Sequence, residues 1–213
     1  MALLAQGNRA DAKRRLEQAV EQLTDESPNP VAYRTHTALA EIALAEAVAL
    51  AAAASPDGAG GSGGADSAPA PAGGEPKPTP LEIAAKHIES ALASNSGYFP
   101  ALGVFAKISL FRGEFDKALE SLATIRKETG TLPLELELVH LEATIRRPDV
   151  SADDKATVAE RLRELKNDGV DAAKLGRLAA MIDAKLPETL GLPSPDADSG
   201  GSSSSSRGRR RRR

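Results

Sequence analysis

A chain of 213 residues has room for one or two domains, but its composition is 41% hydrophobic and only 3% aromatic, with no Trp and no Cys. The missing Cys excludes disulfides, a thiolate nucleophile and every cysteine-ligated metal site, and the lack of alternating Val, Ile, Thr, Tyr and Phe runs excludes an all-β core. The formal charge of −3 hides an asymmetry: Arg207, Arg209, Arg210, Arg211, Arg212 and Arg213 supply six of the 27 basic residues, and without them 21 basic face 30 acidic residues, a net −9.

Helical spacing begins at 8–23, where Ala12, Leu16, Ala19 and Leu23 share one face, and Pro28 and Pro30 mark the turn after it. A longer helix is expected over 31–54. Its most apolar part, 38–54, is interrupted by Glu41 and Glu46 and is read as too short to cross a bilayer. Residues 1–7 lack the basic leader and the length of a secretory signal, so a soluble, intracellular protein is expected. Pro80 opens a helix to about Asn95 with Ile83, Ala84, Ile88, Ala91 and Leu92 as its buried stripe, and Gly97 is read as its stop. Helices follow over 99–111 and 114–127, separated by Arg112-Gly113 and ended by Gly130. Over 133–147, Leu134, Leu136 and Leu138 alternate like a strand. Leu138, Leu141 and Ile145 continue at helical spacing, which predicts helix. Ser151-Ala152-Asp153-Asp154 reads as a capped start, Asn167-Asp168-Gly169 as a stop, and a last helix is expected over 171–186, ending at Pro187.

Two stretches hold too few large apolar side chains to offset the entropy of ordering them: 55–79, rich in Gly, Ala, Pro and Ser, and 187–213, which runs from Pro and Asp through Gly and Ser to Arg. They are expected to be a disordered insertion and a disordered C-terminal tail. The remainder divides into 1–54, the first helical repeats, and 80–186, continuing repeats with terminal capping helices. A fixed offset links the middle of the chain to itself. Ala84, Ile88 and Ala91 recur 34 residues later as Ala118, Leu122 and Ile125, and Leu102, Phe105 and Ala106 as Leu136, Val139 and His140.

Around Phe111-Arg112-Gly113-Glu114-Phe115-Asp116-Lys117-Ala118-Leu119-Glu120 the chain resembles the turn and second helix of a tetratricopeptide repeat: a Gly that reverses the chain, an aromatic against the turn, and a small Ala where helices touch. Gly7-Asn8-Arg9-Ala10-Asp11-Ala12, with Leu16 and Ala19, resembles another copy, which would leave residues 1–6 as the stub of a first helix and the chain beginning partway through a repeat. The resemblance is best over 99–127 and weakens after 147. Leu175-Gly176 with Ala179 resembles the first helix of one further repeat. It implies an all-α fold, a tetratricopeptide-like α-solenoid of antiparallel helix pairs; the competing reading is a helical array without true repeats.

Stacked helix pairs leave a concave surface lined by the first helix of each pair. In that register Gly103, Lys107, Leu110 and Phe111 would face Glu137, Leu141 and Thr144, offering a partner peptide or helix apolar contact at Phe111 and Leu141 and a polar one at Lys107. Phe111 and Leu141 would equally serve to pack a neighbouring helix. Some members of the family grip a C-terminal carboxylate with several Lys, Arg and Asn residues. Here only Lys107 is suitably placed, so that mode is not expected.

No catalytic residues, metal or cofactor are expected. His36, His87 and His140 are spread along the chain without metal-binding spacing and are read as helix-face residues. Gly58-Ala59-Gly60-Gly61-Ser62-Gly63-Gly64 lacks the Lys, the strand and the helix of a phosphate loop. The expected function is thus a non-enzymatic scaffold that binds other proteins, in the cytoplasm. The alternative is a nucleic-acid-associated factor in which the repeats position the basic tail, with weak binding to nucleic acid or an acidic surface, or nuclear import, through Arg207 and Arg209 to Arg213.

Overall fold

The computed structural model describes residues 9–21, 30–54 and 77–194. Among the described residues it holds nine helices and no strand. In chain order they are α1 (Arg9–Glu21), α2 (Pro30–Ala54), α3 (Pro80–Ser94), α4 (Phe99–Arg112), α5 (Phe115–Thr129), α6 (Leu134–Arg146), α7 (Ala152–Asn167), α8 (Ala172–Ile182) and α9 (Leu186–Leu190). The expected all-α fold is present. The stub 1–6, most of the insertion and the Arg tail lie outside the described residues.

Local chemistry sets the helix ends. Thr79 accepts from the Glu82 amide while Glu82 accepts from the Thr79 backbone, a reciprocal capping box, and Pro80 takes the first turn, where its missing N–H costs nothing. Ser151 and Asp154 repeat the exchange at α7. Gly113, at φ 77 and ψ 14, ends α4 in the left-handed region that a side chain resists, and its amide bonds back to Leu110. The Asn95 amide, which bonds to Ala91, closes α3 two residues before the expected Gly97.

The chain divides into two compact units, Met1–Lys155 and Ala156–Arg213. In the first, each helix packs on the next from α1 to α6, and the α2–α3 contact is the most extensive. The helices on either side of the Gly/Ala/Pro/Ser stretch are therefore direct neighbours, so 9–54 and 80–146 belong to one body. A second pattern overlies the first: α2 also touches α4, and α4 touches α6.

The core follows from composition. Ala40, Ala43 and Leu44 of α2 meet Ala84, Ala85, Ile88 and Ala91 of α3 and Ala101, Val104 and Ile108 of α4. With so many methyl-sized side chains the backbones approach closely, and the buried hydroxyls of Thr35, Thr37 and Ser121 donate to carbonyls one turn back. A second cluster joins Ala106 and Leu110 to Ala118, Leu122, Ile125 and Ala143. Of the residues at the 34-residue offset, Ala84 and Ala118, Ile88 and Leu122, and Ala91 and Ile125 are all buried, whereas Leu102, Phe105, Leu136, Val139 and His140 are half-buried.

Three expectations change. The apolar run in α2 is longer than read, because Val31–Ala54 is continuous helix, long and apolar enough by composition to cross a membrane. In this fold it packs against α1, α3 and α4, and its buried residues form core. The last long helix stops at Ile182, not 186. Residues 187–194, assigned to the tail, instead carry α9 with Pro187, Leu190 and Leu192 buried, because Pro is tolerated in a first turn. In this second unit Gly176 lies against the Pro193 carbonyl, and Lys166 donates to the Leu190 carbonyl.

Candidate functional site

Helix α4 touches both α2 and α6, and charged side chains of all three act on one another. Lys107 of α4 donates to the Glu135 carboxylate of α6 at 3.1 Å. Glu41 of α2 is within electrostatic range of both. Its carboxyl is raised above the ordinary range, chiefly by partial desolvation; Lys107 works against the rise and the Glu135 charge adds to it. One lysine thus serves two carboxylates, and the patch carries net negative charge.

The predicted lining residues fall into two groups. Lys107, Glu137 and Thr144 are half-buried with access to solvent, and Phe111 is 42% exposed, one turn along α4 from Lys107. Thr144 turns its hydroxyl onto the His140 carbonyl at 2.8 Å. Gly103, Leu110 and Leu141 are buried and offer no surface. Leu110 belongs to the second core cluster, and Gly103 marks the close approach of α4 and α6: a β-carbon built there would lie 3.1 Å from a Leu136 methyl. These three support the face from behind. Sequence reasoning missed Glu41 and Glu135, whose signal is that both sit at exposed positions of alternate helices.

Helices α4, α5 and α6, with the loop between the last two, border an apolar hollow of about 400 Å³ lined by Phe99, Ile125, Leu132, Pro133 and Leu136 among others. Thr129, at its edge, already donates to the Ile125 and Thr131 carbonyls, so this hydroxyl is engaged within the chain.

Two of the three histidines, expected as separate helix-face residues, come together. His36 of α2 and His87 of α3, 51 residues apart in sequence, bring their Nδ1 atoms to 3.1 Å across the α2–α3 contact. Burial lowers both from their ordinary value, and on His87 the charges of His36, Lys86 and Lys13 act in the same direction. His140 is lowered too, by burial first and then by Arg126. Among the described residues no three His, Asp or Glu side chains are placed to hold a metal ion.

Comparison with family models, curated proteins and solved structures returned no match.

Proposed function

We propose that the chain is a protein-interaction scaffold of tetratricopeptide type, in which α2, α4 and α6 are the first helices of successive pairs and their shared face receives a partner peptide or helix. The observation that carries the reading is the contact of α2 with α4 and of α4 with α6, in addition to the contacts between chain neighbours. Stacked α-hairpins have this pattern because each pair buries its apolar side only against another pair. The 34-residue recurrence of buried positions and the left-handed Gly113 turn support it. Phe111 supplies exposed apolar area, and Lys107, Glu135 and Glu41 supply charge beside it. The role is one of holding, without catalysis or cofactor, in a cytoplasmic setting.

The test is affinity capture with mass spectrometry, comparing the intact chain with Lys107→Glu plus Phe111→Ala. Both side chains reach solvent, so the fold is expected to survive. Loss of the partners from the double variant is the expected outcome; an unchanged partner list removes this face from the reading.

The segregation of charge favours a second reading, in which the six C-terminal arginines hold nucleic acid while the acidic remainder stays clear of it. Deleting 207–213 is expected to abolish any RNA or DNA retention and to leave protein capture intact. Loss of protein capture at low salt on that deletion argues for the tail as the working element.

A further inference from the structure

The His36–His87 contact is unused by the reading above, and its chemistry is specific. The Nδ1 atoms are 3.1 Å apart and the ring centroids 5.3 Å apart, so the facing nitrogens lie between the two rings. A neutral imidazole has one N–H and one lone pair, so this hydrogen bond requires opposite tautomers: one ring donates from Nδ1, and the other accepts at Nδ1 and keeps its proton on Nε2. A first added proton goes to the free Nε2 of the donor ring. The donor becomes cationic and the bond persists, now charge-assisted. A second proton has only the accepting Nδ1 left. Both facing nitrogens then carry hydrogen, no lone pair remains between them, and two positive charges stand at contact distance.

We infer that His36 and His87 form a proton-sensitive latch between α2 and α3, closed while either ring is neutral and released when both are protonated.

The surroundings leave the second proton uncompensated. The charged groups bearing on His87 are Lys86 on its own helix and Lys13 on α1, both cationic. Lys13 is itself paired with the Glu46 carboxylate of α2 at 3.1 Å. Helix α4, which also packs on α2 and α3, meets their shared core with Ala101, Val104 and Ile108. Both rings are half-buried, so protons reach them from solvent while water does not screen them fully. The pair bridges the α2–α3 contact, so two facing positive charges there weaken the packing of α2 on α3.

The test is an NMR pH titration of the ring protons in the full chain, with amide-exchange protection factors measured alongside. His36 and His87 are expected to titrate as a pair in two steps separated by about one pH unit or more. Protection across α2 and α3 is expected to fall at least tenfold through the second step, while α5 and α6 keep theirs. In His36→Asn the His87 ring is expected to titrate in a single step closer to pH 6.5, and in His87→Asn the His36 ring is expected to titrate in a single step. Two independent single-step curves with equal midpoints in the unmodified protein would overturn the latch, whether or not the variants fold. So would a His87 midpoint that His36→Asn leaves in place.

Discussion

At the scale of single residues, the approach of α4 to α6 turns on Gly103. A β-carbon there meets Leu136 methyls at 3.1 and 3.3 Å, and Leu136 already packs against the second core cluster. Gly103→Val is therefore expected to cost about 1–3 kcal/mol, read from denaturant midpoints; a midpoint unchanged within error would mean the two helices are further apart than described. Leu122 is wholly buried in the same cluster, and Leu122→Ala is expected to cost about 2–5 kcal/mol. Glu41 behaves oppositely. Its carboxyl is raised in the folded chain, so the folded state holds that proton more tightly, and stability is lost as pH rises through the window above 4.5. At pH 7 Glu41→Gln is accordingly expected to leave the melting temperature equal or higher. A clear fall would show that attraction to Lys107 outweighs desolvation. Side-chain direction was the least legible property of this site in the sequence. Helical spacing placed Gly103, Lys107, Leu110 and Phe111 on one helix, but which of them faces a neighbour depends on how closely α4 and α6 approach, a distance the spacing does not contain.

The helices themselves were largely legible, because their ends are written in local chemistry. Pro80 after Thr79, Gly113, Gly130 and the Ser151–Asp154 exchange all act within a few residues of themselves. Removing such a device has a local cost: Thr79→Ala is expected to destabilise by about 1 kcal/mol and to raise amide exchange first in the opening turn of α3. Glu82 and Asp154 are held below the usual carboxylate range, Glu82 by backbone then side-chain bonds from Thr79, Asp154 by side-chain then backbone bonds from Ser151. A depressed carboxyl contributes stability above its unfolded value and loses it as pH falls, so both caps weaken in acid. Misread signals were those with two meanings. Pro187 reads as a stop in the sequence, yet in the first turn of α9 it is compatible with helix. The α2–α3 contact, and with it the His36–His87 pair, left no trace in spacing because a low-complexity stretch separates the partners.

At the scale of the molecule, the acid response combines these groups. All three histidines are lowered on folding, so the unfolded chain takes up protons first as pH drops below about 6.5. Their contribution is complete above that value and shrinks below it, before the caps begin to titrate. The melting temperature is expected to fall between pH 7 and pH 5, and a flat profile would contradict the three shifts together. The body formed by α1 to α6 places helices from both sides of the Gly/Ala/Pro/Ser stretch in one core, and the face shared by α2, α4 and α6 is where the proposed scaffold would meet its partner. The most direct measurement is site-specific photo-cross-linking, with the photoreactive residue placed in turn at Phe111, Thr144, Glu89 and Glu120. The last two are exposed positions on α3 and α5. Partner adducts are expected from Phe111 and Thr144 and none from Glu89 or Glu120; adducts confined to α3 and α5 would remove the face of α2, α4 and α6 as the partner site.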